Sequence, residues 1–146
     1  FSFDDLIRSR NRTDSWDGIR NYQARNMMRD DFKLGDQVFI YHSRIAEPAI
    51  VGIAKVVKES YPDHTALDPK SKYFDEKSKE KGESRWCMVD VQAAERFQNP
   101  VTIQQCRETK GLENMALIKK GQRLSIQPVS PGEWKVVSKL GDAKKV

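Results

Sequence analysis

The stretch LGDQVFIYHS, Leu34–Ser43, decides how the chain is built. Gly35-Asp36 reads as a turn, and the residues after it alternate as a strand. Val38, Ile40 and His42 share one face; Phe39, Tyr41 and Ser43 share the other. Bulky apolar side chains sit on both faces, so this strand is expected to be covered on both sides. AIVGIAKVVKES, Ala49–Ser60, is rich in β-branched residues and long enough for a second strand. Gly52 in its middle marks a bulge or a close backbone approach.

Further strands flank this pair. In WCMVDVQAAERF, Trp86–Phe97, residues Cys87, Val89 and Val91 alternate inward, with Trp86, Met88 and Asp90 on the other side. RLSIQPV, Arg123–Val129, places Leu124 and Ile126 opposite Arg123, Ser125 and Gln127. Short helices separate the strands. Ser2 and Asp5 form a capping-box pattern before FDDLIR, and residues 20–29 read as a helix with Ala24, Met27 and Met28 inward. The polar face of that helix carries Tyr22, Arg25, Asn26 and Arg29. WDGIR before it reads as a turn around Gly18. NPVTIQQCRET and LENMALIKKG each hold a short helix or turn. Ser130, Pro131 and Glu133 start a last helix that ends at Gly141. Residues 61–85 are charged and proline-punctuated and read as a long surface loop, most mobile in DEKSKEKGES, with a frayed tail at DAKKV. No regular βαβ alternation, repeat or linker occurs. The pattern predicts one α+β domain over 1–146, with a bent, barrel-like sheet.

With 146 residues and 38% apolar content the chain can bury a real core without disulfides. Its net charge of +5 suits a polyanion partner or a plain soluble protein. Cys87 and Cys106 are isolated, which disfavours a zinc site and fits a reducing, intracellular compartment. No apolar run approaches the roughly 20 residues of a membrane helix. His42 and His64 lie near no nucleophile motif, and no phosphate-binding glycine loop is present. No enzymatic activity, cofactor or metal is therefore expected. What remains is a binding inventory. Trp16, Tyr22, Tyr41, Tyr61 and Trp86 offer stacking faces, and Asn21, His42, Ser43, Ser125 and Gln127 offer groups for a base edge. Arg20, Arg25 and Arg123 offer cations for phosphate or for structural carboxylates. Each has a plainer reading as well: Trp16 as a core anchor, Tyr22 as edge packing, His42 as a hydrogen-bonded core residue.

WDGIRNYQARNMMRD, LGDQVFIYHS, VGIAKVVKESYPDHTALDPKSKYFD, RWCMVDV and RLSIQPVSPGEW, in this order and spacing, closely resemble the EVE domain. The resemblance implies a PUA-like fold, a mixed, barrel-like sheet flanked by short helices, related to the YTH and ASCH domains. Family members usually open with a strand ending in a Lys-Ser-Glu-Pro-like segment, so the sequence is expected to lack that first strand. The resemblance further implies a non-catalytic reader of modified nucleobases, chiefly 5-methyl- or 5-hydroxymethylcytosine in DNA. The base would be flipped into an aromatic-lined pocket. The expected partner is nucleic acid carrying a modified base, DNA ahead of RNA, in the nucleus of a eukaryote or the cytoplasm of a bacterium. The rivals are an RNA-binding or RNA-modification accessory module and a small-molecule or nucleoside sensor. An enzyme using Asp17 or Asp90 beside His42 is a third reading.

Overall fold

The computed structural model describes residues 2–43, 45–119 and 126–146. Among the described residues five strands and five helices follow one another: α1 (Phe3–Arg8), β1 (Thr13–Trp16), α2 (Tyr22–Asp30), β2 (Gln37–His42), β3 (Ala49–Pro62), α3 (Glu76–Lys81), β4 (Cys87–Thr102), α4 (Ile103–Glu108), α5 (Pro131–Gly141) and β5 (Ala143–Lys145). Single 3-10 turns occupy Arg10–Arg12, His64–Leu67 and Ala116–Ile118. The fold is α+β. Among the described residues the sheet is antiparallel throughout, ordered β1-β4-β3-β2, and open rather than closed. β5 joins β4 beside β1, through Glu95↔Lys145 to Phe97↔Ala143.

Two cores lie on the two sides of this sheet's long strands. One gathers Phe3, Leu6, Ala24, Met28, Ala54, Val89 and Val91 under α1 and α2. The other gathers Ile50, Ile53, Phe97, Val101, Cys106, Leu112 and Val137 under α4 and α5. β2 serves both, as its sequence foretold: Val38 and Ile40 pack on the first, Phe39 and Tyr41 on the second. Gly52 meets both readings made of it. The β3–β4 register shifts between Ile50 and Gly52. A Cβ there would stand 2.5 Å from the Phe3 ring, so only glycine lets α1 lie directly on the β3 backbone.

The capping boxes hold. Ser2 accepts from the Asp5 N–H and Asp5 reaches back to Ser2; Ser130 and Glu133 do the same for α5. Other expectations need correcting. TDSW is a strand, β1, running into the WDG turn. Residues 61–85 are not a solvated loop: β3 extends to Pro62, α3 forms, and Asp63, Ala66 and Ser78 are buried. Both faces of β4 are covered, since Met88 is as buried as Val89 and Trp86 is buried too. β4 also runs on through Pro100 to Thr102, which caps α4. Pro100 is tolerated because residues 97–100 fall in a break of the β3–β4 register, between Gly52↔Arg96 and Ile50↔Val101. The C-terminal residues are not frayed but form β5. Of the strand expected over 123–129, Arg123–Ser125 lie outside the described residues, and Ile126–Val129 take no strand.

Candidate nucleobase-binding site

A cleft of about 1010 Å3 opens between the start of α1, the end of β1 and the end of β2. Trp16, Tyr41, His42, Ser43 and Gln127, all singled out from the sequence, line it. So do Asp14, Ser15, Lys72 and Tyr73, which the sequence left out of the site, and Asp17, which it named only for the enzyme reading. Apolar walls come from Phe3, Leu6, Ile50, Val91, Met115 and Val129.

Local structure fixes these groups. The β2–β3 register shifts between Ile40 and Tyr41. A bulge of this kind re-aims the side chains beyond it. His42 is held by α1: its Nε2 accepts the Phe3 N–H at 3.1 Å. Trp16 ends β1 opposite Val89 and leans on Phe32, ring centroids 6.4 Å apart. One side of the indole therefore belongs to the core while the residue lines the cleft.

The turn after Trp16 is bolted down. Gly18 takes φ +78°, and its N–H donates to Oδ2 of Asp63 at 3.0 Å. Asp63 is fully buried. Its other partners are the Thr65 N–H at 2.9 Å, the Thr65 hydroxyl, and Arg20 Nη1 at 2.9 Å. Arg20 donates onward to the Tyr73 carbonyl, from Nη2 at 2.7 Å. The Tyr73 ring lies over Gly18, where a Cβ would meet it at 2.5 Å. Burial pushes the Asp63 carboxyl up, but the Thr65 hydroxyl, the Gly18 N–H and Arg20 outweigh it and hold it below the usual carboxylate range. Asp17 is the opposite case. Burial pushes its carboxyl up, Asp63 and Asp14 add to the rise, and its own backbone N–H only partly opposes it.

The remaining sequence candidates sit elsewhere. Tyr22 stacks on Trp86 with centroids 4.9 Å apart, and the Arg25 guanidinium lies 4.7 Å from the Tyr22 ring centre. Arg85 grips Asp75 through Nε at 2.7 Å and Nη2 at 2.9 Å, and also donates to the Tyr22 hydroxyl. Trp86 Nε1 and Ser78 Oγ donate to the same carboxylate, at 3.0 and 2.6 Å. Arg25 donates to the Arg85 carbonyl at 3.1 Å. Asn21 caps α2 by accepting the Ala24 N–H at 3.0 Å, a role that the start of the helical pattern could have revealed. Tyr61 donates to Asp90 Oδ1, and burial together with Asp90 pushes its phenol up. Neither Tyr61 nor Trp86, Tyr22, Asn21, Arg20 or Arg25 lines the cleft. Arg123 and Ser125 lie outside the described residues.

Comparison with known proteins gives this arrangement a lineage. The EVE domain family matches residues 1–140. Thymocyte nuclear protein 1 of Gallus gallus is 43% identical over 152 aligned residues, spanning 99% of this chain and 62% of the relative. The Homo sapiens protein is 42% identical, spanning 96% of this chain and 64% of its own length. The chain thus covers less than two thirds of these relatives. Among solved structures, human THYN1 protein in complex with 5-methylcytosine-containing DNA superposes with a TM-score of 0.89 at 40% identity, over 97% of this chain and 86% of that one. A hypothetical protein from Leishmania major reaches 0.88 at 42% identity, over 97% and 87%. The chain belongs to the EVE domain family.

Proposed function

We propose that this protein binds DNA carrying a modified cytosine and holds that base, without chemical change, in the cleft between β1 and β2. One observation carries the reading. A structure 40% identical over 97% of this chain is that of human THYN1 with 5-methylcytosine-containing DNA. The cleft supports it chemically. A flipped base needs an aromatic or apolar wall, groups for its polar edge, and room. Trp16 and Tyr41 supply rings, and Ser43, Gln127 and Asp17 supply polar groups.

A methyl group on cytosine C5 adds only apolar contact, so selectivity for it is limited to about 10- to 200-fold. Titrating matched oligonucleotides that differ in one 5-methyl group tests the proposal. We expect the methylated strand to bind more tightly within that range, and Trp16→Ala to abolish the preference. Equal affinity for both strands at every salt concentration would sink it. Phosphate contacts should make binding to both strands fall as salt rises.

A further inference from the structure

A methyl-sized niche cannot by itself tell 5-methylcytosine from thymine, because both carry the same C5 methyl and the same O2. They differ at the polar edge. Cytosine presents an N4 amine donor and an N3 acceptor; thymine presents an O4 acceptor and an N3 donor. A reader of modified cytosine therefore needs an acceptor for N4–H in the cleft, and carboxylates are the side chains suited to that amine.

Resting on the binding reading above, we propose that Asp17 is the specificity-determining residue, accepting the cytosine N4–H and rejecting thymine. Three features of the turn carry this. First, Asp17 lines the cleft directly after Trp16, so ring contact and edge contact come from adjacent positions of one rigid turn. Second, that turn is anchored by Asp63, Arg20 and Tyr73 acting on Gly18, not on Asp17 itself. Third, among the described residues no side chain or neighbouring backbone group hydrogen-bonds the Asp17 carboxylate; only its own N–H leans on it. Asp14, the other carboxylate lining the cleft, already spends Oδ1 on the Ser15 N–H at 2.7 Å. Asp63 is consumed completely.

The chemistry of the match is specific. An ionised Asp17 oxygen accepts N4–H, whereas thymine O4 would bring a second acceptor against it.

The test uses single-stranded oligonucleotides with one variable position, C, 5-methylcytosine or T, so that base-pairing energies do not enter. The wild-type protein should favour 5-methylcytosine over thymine by about 10- to 100-fold, the worth of one good edge contact. Asp17→Ala and Asp17→Asn should bring that ratio to within about threefold while keeping the preference for 5-methylcytosine over cytosine. Asn levels the ratio because its amide can turn either its oxygen to N4–H or its NH2 to O4. Removing a negative charge will strengthen binding to every strand, which is why the ratio and not the affinity is read. If both variants keep the wild-type ratio, the assignment of Asp17 is overturned and the binding reading stands. If the wild-type protein shows no preference for 5-methylcytosine over cytosine, both are overturned.

Discussion

Two regions of this protein are made from nearly the same side chains. The cleft has Trp16, Tyr41, Asp17 and Lys72. The pillar between α2 and β4 has Trp86, Tyr22, Asp75, Arg25 and Arg85. In the pillar the polar atoms are matched to one another: one carboxylate takes both arms of Arg85, the Trp86 indole and the Ser78 hydroxyl. In the cleft the rings border open space, and among the described residues no neighbour's side chain hydrogen-bonds Asp17. Residue type does not separate a binding surface from a structural lock. Satisfaction of hydrogen bonds does, because a group already paired inside the protein gains little from a ligand.

Arg20 stands between the two regions. Its guanidinium lies 5.5 Å from the Trp86 ring centre while it pairs with Asp63, 2.9 Å away, beneath the cleft turn. The largest effect is expected there. Asp63→Ala strips the Gly18 N–H, the Thr65 N–H and a largely buried guanidinium of their acceptor. Breaking a buried ion pair from one side costs about 3–5 kcal/mol. Urea unfolding should show that loss, and 5-methylcytosine binding should fall with it because the Trp16–Gly18 turn loses its anchor. Unchanged binding by the folded fraction would mean the turn holds itself.

Asp75→Ala breaks the comparison on the other side. It removes the acceptor of Arg85 and Trp86, and charged hydrogen bonds of this kind contribute about 1.5–3 kcal/mol. Stability should drop by that order while the ratio of affinities for methylated and plain strands stays put. Acid should reproduce part of the loss. Arg85, chiefly, holds the Asp75 carboxyl well below the usual range against the opposing effect of burial, and Asp63 is depressed too. A depressed carboxyl stabilises the fold above its unfolded pKa of about 3.9, and the contribution is lost as pH falls through the folded value. Stability should therefore decline below about pH 4, and less steeply in Asp75→Ala. Parallel acid profiles for the two proteins would remove Asp75 from this account.

What the sequence disclosed, it disclosed through short-range chemistry. Capping boxes join residues three apart, so Ser2 with Asp5 and Ser130 with Glu133 could be read directly. β2 was legible because both of its faces are apolar. β1 and β5 were not: TDSW holds one large apolar residue and AKK none, and they are strands because β4 offers an unpaired edge. Asp63 was hidden for a related reason. Its partners Gly18 and Arg20 lie 45 and 43 residues away, so a buried ion-paired aspartate looked like one more charge in a polar loop. In the site, Trp16, Tyr41, His42, Ser43 and Gln127 do share one cleft. Tyr22 and Trp86 resembled them in composition, and only the partners brought by Arg85 and Asp75 place them elsewhere.

The smallest expected effect sharpens the comparison most. Tyr22 is half exposed, stacked on Trp86 and flanked by two guanidiniums, which on composition alone would suit a platform for a nucleobase. Tyr22→Leu keeps an apolar side chain over Trp86 but removes the stack and the hydroxyl that accepts from Arg85. Aromatic pairs add about 0.5–1.5 kcal/mol beyond their buried area, so the melting midpoint should move by only a few degrees. If the pillar is purely structural, affinity for every oligonucleotide should stay within about threefold of wild type, far below the roughly 1–3 kcal/mol that a base–aromatic stack contributes. A tenfold loss shared by methylated and plain strands alike would instead make Tyr22 a second contact with the strand, outside the cleft and blind to the modification.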